Sequence, residues 1–223
     1  VTGVDLAALA TRTILDAAPG LSSASPPATN RPIPLVGVKS SVFSFTRLRG
    51  ADPVLGVEMV STGEVACLGG NFEEALLLSM AAAQIRAPAK GILVSSGSAA
   101  DKARFAELLP LLQATGLPLF ATPGTAAQFA ASGIPVETVG WPGEAGATSI
   151  QVILEQRVDL VINLPKSSDD SALRHGSQIR QAAIQSGCML LTNIEKTAAL
   201  FQALARKSGV EAKLRKLPAM DPA

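Results

Sequence analysis

From Gly91 onward, short apolar runs alternate with longer amphipathic stretches in a regular order. The runs fall at 92–94, 119–121, 136–139, 160–163 and 189–192, and helical stretches are expected at 101–115, 124–132, 148–156, 177–186 and 194–207. Runs this short and largely apolar fit strands of a buried parallel sheet, and the segments between them are long enough for crossover helices. The pattern predicts an α/β fold with a five-stranded parallel, doubly wound sheet. Two helices show the core-facing stripe plainly: Phe105, Leu108, Leu109 and Leu112 in one, Thr197, Leu200, Phe201 and Leu204 in the other. Pro110 sits inside the first of them and predicts a kink there, because an interior proline forfeits a hydrogen bond and clashes with the preceding turn.

The first ninety residues are less regular. Leu6, Leu9, Ala10, Thr13 and Ile14 predict a short helix over 4–17. Residues 19–34 contain five prolines and three serines, the chemistry of a surface connection. Short strands are expected at 35–39 and 54–60, without a sheet of their own, on either side of the apolar anchors Phe43, Phe45 and Leu48. Asn71 followed by Glu74 reads as a capping box opening a helix to Arg86, which Pro88 stops. The division this implies is 1–89, then 90–210, then a tail at 211–223.

Composition narrows the function classes. With 223 residues, 48% hydrophobic, 17% charged and a net charge of +1, the chain is expected to fold and not to bind nucleic acid. Aromatic residues make up 4%, so the core must rest on Ala, Leu, Ile and Val, which suits helices packed on a parallel sheet. Cys67 and Cys188 lie far apart in apolar surroundings and read as buried free thiols of a reducing compartment. One histidine and no cysteine cluster make a metal site unexpected. No run approaches the ~20 apolar residues of a membrane span. The chain starts at Val1 without a start Met or signal-like segment, as a piece of a longer protein would.

In a parallel sheet ligands bind beyond the carboxyl ends of the strands, and four of those loops are polar here. The first is Ser95-Ser96-Gly97-Ser98 with Asp101 and Lys102, where a lysine beside a helix start could neutralise an anion or simply decorate a solvated cap. The second, Thr122-Pro123-Gly124-Thr125, offers two hydroxyls and free amides, and equally reads as a helix cap. The third carries Trp141, either a core or lid residue or the wall of a pocket. The fourth is Asn163-Leu164-Pro165-Lys166, whose asparagine can both donate and accept. Together these loops describe an anion pocket without a strong nucleophile. His175 reads as a surface residue, Asp169 and Asp170 as solvated loop carboxylates, and no catalytic set is visible.

The run VGVKSSVFSFTRLRGADPVLGVEMVSTGEVACLG from Val36 resembles the end of the second ATP-grasp unit of the carbamoyl phosphate synthetase large chain. KGILVSSGSAADKARF, LFATPGTAAQF, VETVGWPGEAG, DLVINLPK and SQIRQAAIQSGCMLLTNIEKTAALFQAL resemble that chain's final, methylglyoxal-synthase-like domain. The resemblance implies an allosteric domain that binds N-acetyl-L-glutamate in the ammonia-dependent type, and UMP, IMP or phosphorylated ribose compounds such as PRPP in others. It assigns effector contacts to Thr122, Thr125, Trp141 and Asn163, a phosphate contact to Lys102, and a fourth-loop contact to Lys166. Two asparagines of the N-acetylglutamate type stand here as Lys166 and, with a one-residue shift, Gly176, whereas the Trp141-Pro142 pair favours that type. It also implies that ATP and Mg²⁺ are held by residues before Val1, that the partner is the remainder of the synthetase chain, and that no cofactor binds this piece. The compartment is then the mitochondrial matrix for the N-acetylglutamate type and the cytoplasm otherwise.

Two rival readings remain. A stand-alone methylglyoxal synthase shares the fold but needs a carboxylate base in the third loop, where this chain has only Glu144 beside Gly143. A purely structural segment with a decayed pocket would explain the departures at Lys166 and Gly176.

Overall fold

The computed structural model describes residues 5–16, 34–47, 50–165 and 170–206. The expected contacts of Leu48 and Lys166, most of the proline-rich stretch and the C-terminal tail lie outside these residues. The first helix is α1 (Leu6–Asp16), opened by Asp5, whose carboxylate accepts the Ala8 N–H. Strands β1 (Val36–Val42) and β2 (Gly63–Gly69) then pair antiparallel along their full length. The region therefore has a sheet of its own, contrary to expectation, and its second strand is 63–69 rather than 54–60. Helix α2 (Phe72–Ala82) packs on the hairpin and half-buries Val65 and Cys67. Nothing comparable covers 54–60, which stays irregular and exposed. Its Val54, Leu55, Val57, Met59 and Val60, not Phe43 and Phe45, are the exposed apolar side chains; the two phenylalanines stack on each other, half-buried.

Asn71 caps α2 as expected, accepting the Glu74 N–H at 2.8 Å, but the Glu74 carboxylate returns to Gly70 N rather than to Asn71. The helix stops short of Arg86, since Gln84 takes a left-handed conformation at φ 60°.

The rest is the expected parallel sheet. Strands β3 (Ile92–Ser95), β4 (Leu119–Ala121), β5 (Glu137–Thr138), β6 (Leu160–Asn163) and β7 (Met189–Leu191) lie in the order β5-β4-β3-β6-β7. The interleaved helices are α3 (Ala99–Ala106), α4 (Leu109–Ala114), α5 (Pro123–Ala131), α6 (Ser149–Leu154), α7 (Asp170–Gln185) and α8 (Ile194–Arg206). The helix expected over 101–115 is thus broken in two, with Pro110 in the first turn of α4, where its missing N–H costs no bond. Helix α7 begins well before the expected 177, and Gly176 lies inside it.

Strand alternation divides the core. Ile92, Val94, Leu160 and Ile162 face Phe105, Leu112, Phe129, Leu200 and Phe201, whereas Leu93, Phe120 and Val161 face Val152, Ile153, Ile179 and Ala183. Helices thus cover both faces, which is the doubly wound arrangement. Of the two free thiols Cys188 is buried, and burial, then the Asp159 carboxylate, push its pKa up; Cys67 is only half-buried.

Phe105 is fully buried and stacks on Phe129 with ring centroids 5.7 Å apart. Phe105→Ala is expected to cost about 3–5 kcal/mol in urea denaturation, whereas truncation of exposed Val57 should change stability by no more than about 0.5 kcal/mol.

Candidate functional site

Strand order reverses between β3 and β6: β4 and β5 were added on one side of β3, then β6 and β7 on the other. Such a switch point opens a crevice at the carboxyl ends of the strands. Here the two strands are in register at their ends, Ser95 opposite Asn163, and a cavity of about 350 Å³ opens there. All four polar loops reach it, through Ser95, Ser96, Lys102, Thr122, Thr125, Trp141 and Asn163. Gly97 allows the first and fourth loops to meet: a Cβ there would lie 2.7 Å from the Leu164 carbonyl oxygen.

The hydroxyl floor is buried and cross-linked. Thr125 Oγ1 accepts the Ser96 N–H at 3.1 Å and shares a hydrogen bond with Ser96 Oγ at 3.0 Å. Thr122 occupies the N-cap position of α5, yet its hydroxyl makes no cap bond and donates at 3.4 Å to Ser95 Oγ. Thr122 thus holds the cap position through its backbone, and neither threonine hydroxyl is engaged in capping. The start of α5 therefore presents its positive end to the cavity through Gly124 and Thr125. Lys102 reaches the same point, its Nζ 3.1 Å from where a Gly124 side chain would begin.

Arg180, on α7, is a site residue that the sequence reading missed. The residue is 3% exposed, and its guanidinium donates from Nη1 to Asn163 Oδ1 at 2.6 Å and grips Asp52 with Nε and Nη2, the Nε bond being 2.8 Å long. Because a guanidinium only donates, it fixes the Asn163 oxygen toward itself and leaves the amide NH₂ as the group Asn163 can offer a ligand. Gly176 makes room for this arrangement, since a Cβ there would sit 2.9 Å from Arg180 Nη1. The signal was a lone arginine among Ile179, Ala182 and Ala183 on a buried helix face.

Trp141 stacks on His175 with centroids 5.5 Å apart, and both line the cavity. His175 is therefore half-buried in the site wall, not a surface residue; the polar stretch around it, ahead of the helix expected at 177, had hidden this. Glu144 turns away, its carboxylate accepting the Trp141 N–H at 2.8 Å within its own loop. The methylglyoxal-synthase reading loses its base by that contact. No Asp or Glu is found among the described lining residues, and no metal-holding group of three or more His, Cys, Asp or Glu among the described residues. A wider groove of about 910 Å³ between α2 and α8 lies at Leu77, Met80 and Ile85, away from the strand ends.

Residues 104–192 match the MGS-like domain. The multifunctional protein pyr1-3 of Dictyostelium discoideum is 43% identical over 176 residues, 76% of this chain and 8% of that protein. A mitochondrial carbamoyl-phosphate synthase (ammonia) of Aquarana catesbeiana is 36% identical over 218 residues, 95% of this chain and 14% of its own. The multifunctional protein pyr-3 of Neurospora crassa is 38% identical over 220 residues, again 95% of this chain and 12% of its own length. The chain belongs with the C-terminal parts of carbamoyl-phosphate synthases. It spans about a tenth of the length of these relatives. The MGS-like match begins at Arg104, so the first loop and Lys102 precede it, as does Asp52. No helix among the described residues is long and apolar enough to cross a membrane.

Burial pushes the Asp52 carboxyl up, but the Arg180 hydrogen bonds and charge, with the Val54 N–H and Ser177 hydroxyl, outweigh it and hold the group below its ordinary 3.8. A depressed carboxylate pKa contributes stability that is present above the unfolded value and is lost as pH falls through the folded one. Asp52→Asn is therefore expected to be less stable than wild type near neutral pH. Urea unfolding between about pH 6 and pH 2 should show this gap closing below about pH 4.

Proposed function

We propose that this chain is the effector-binding portion of a carbamoyl-phosphate synthase, and that its strand-end cavity takes a small anionic effector controlling ATP-dependent synthesis elsewhere in the longer chain. One observation carries the reading: buried hydroxyls, the Asn163 amide, the Lys102 ammonium and the start of α5 converge on one cavity with no carboxylate among its described lining residues. Hydrogen-bond donors and positive charge gathered this way select an anion, and the described lining residues include no carboxylate to serve as a base for turnover. ATP and Mg²⁺ would be held by the ATP-grasp part of the longer chain.

N-acetyl-L-glutamate is the favoured effector. Its carboxylates suit the threonines and α5, and its acetyl group suits the flat Trp141–His175 wall. Lys102 supports a second reading, a nucleotide such as UMP or IMP or a phosphorylated ribose compound such as PRPP, because an ammonium point charge serves a phosphate well. The relatives include both an ammonia-type synthase and multifunctional pyr proteins. The first effector goes with a mitochondrial protein and the second with a cytoplasmic one.

Calorimetric titration with N-acetyl-L-glutamate, UMP and IMP tests this. Saturable heat from N-acetyl-L-glutamate is expected, with affinity falling about tenfold or more in Thr125→Ala and Trp141→Ala, as loss of roughly 1.4 kcal/mol of contact requires. Binding of a nucleotide instead, weakened by Lys102→Ala, selects the second reading. Absence of binding, or formation of methylglyoxal from dihydroxyacetone phosphate, contradicts the proposal.

A further inference from the structure

The cavity and the segment around Asp52 share one buried cation. Two nitrogens of Arg180 hold Asp52 and the third holds Asn163, so each side of the guanidinium faces a different part of the protein. A guanidinium has five N–H donors, and these bonds engage three, which leaves one on Nη1 and one on Nη2. Arg180 lines the cavity, so a bound anion lies within reach of the same charge. Among the described residues Asp52 is the one carboxylate paired with it.

Asp52 belongs to the stretch between β1 and β2, outside the five-stranded sheet. That stretch is held against α7 by consecutive residues: Gln181 donates to the Gly50 carbonyl at 3.0 Å, and Arg180 grips the Asp52 carboxylate. Buried Pro53 follows directly, and beyond it lies the exposed apolar stretch 54–60. Arg180 is thus the point at which the cavity touches the N-terminal unit through charge.

We propose that Arg180 is the coupling residue of the effector site: a bound anion and the Asp52 carboxylate compete for its guanidinium, so that occupancy of the cavity loosens the hold of residues 50–54 on α7. This rests on the effector reading given above. Two negative groups sharing one cation repel each other, and each weakens the grip of the other. Linkage makes the effect reciprocal, so removing the charge of Asp52 must tighten anion binding by the same factor that the anion loosens Asp52. Arg180 acts here as a positioning residue, since the same guanidinium also orients Asn163.

The 223-residue chain, Asp52→Asn, Arg180→Lys and the double variant are titrated with N-acetyl-L-glutamate and with inorganic phosphate at one pH and salt. Asp52→Asn is expected to bind the probe that wild type binds about three- to tenfold more tightly, as Coulomb repulsion across several ångströms near a surface implies. In the Arg180→Lys background, where the planar fork is lost, that gain should vanish. Hydrogen exchange of the Gly50, Ala51, Asp52 and Val54 amides in the wild-type chain should speed up at saturating probe, a readout that stands whether or not Arg180→Lys folds. Affinity unchanged or weakened in Asp52→Asn, a gain that persists without Arg180, or exchange slowed by the probe each overturns the coupling and leaves the effector site standing. A wild-type chain that binds neither probe removes the effector reading, and the coupling with it.

Discussion

The reversal of strand order between β3 and β6 is the constraint on which the site depends. Two helices that leave neighbouring strands toward opposite faces cannot cover the strand ends between them, so an opening is forced there. Ser95 and Asn163, paired in register at that edge, become its floor. Each other contributor arrives by the same route: Thr122 and Thr125 follow β4, Trp141 follows β5, and Arg180 comes from the helix after β6. The pocket is a product of topology, and the side chains around it give it hydrogen-bond donors and positive charge.

A second constraint acts within the first. A guanidinium as buried as that of Arg180 is tolerated only when its hydrogen bonds are met, since an uncompensated buried charge costs several kcal/mol. Asn163 and Asp52 supply that compensation through three of its five N–H groups, and Gly176 clears the volume in which they do so. One cation thereby fixes an amide at the floor of the cavity, a glycine inside α7 and a carboxylate in the stretch joining β1 to β2. The departure at Gly176 from the asparagine of the N-acetylglutamate type acquires a physical setting, because any side chain there must contend with Arg180.

What the sequence made legible followed from local rules. The buried strands β3, β4 and β6 announce themselves as short apolar runs, and the weaker runs at β5 and β7 complete the sheet at its two less buried edges. The loops after them supplied Thr122, Thr125, Trp141, Asn163 and Lys102, which the structure gathers around one cavity. The failures came from partners distant in the chain. The strand at 63–69 owes its existence to β1 and α2 rather than to its own apolar pattern, so 54–60, richer in Val, Leu and Met, looked the better strand. His175 was read as a surface residue because it stands in a polar stretch ahead of the helix expected at 177, whereas that helix begins at Asp170, and Arg180 was overlooked because its partners lie far off in the chain. The Asp52–Arg180 pair spans a sequence separation of 128 residues, which no spacing rule reaches.

Trp141 is the chain's single tryptophan and stands in the cavity wall against His175, so its emission reports directly on whether the strand-end cavity is an anion site. Titration with N-acetyl-L-glutamate and with UMP should produce a saturable change in intensity or wavelength with at least one of them, and Thr125→Ala should abolish or strongly right-shift it. An emission indifferent to both anions, or a response that survives unaltered in Thr125→Ala, would contradict the assignment of the cavity.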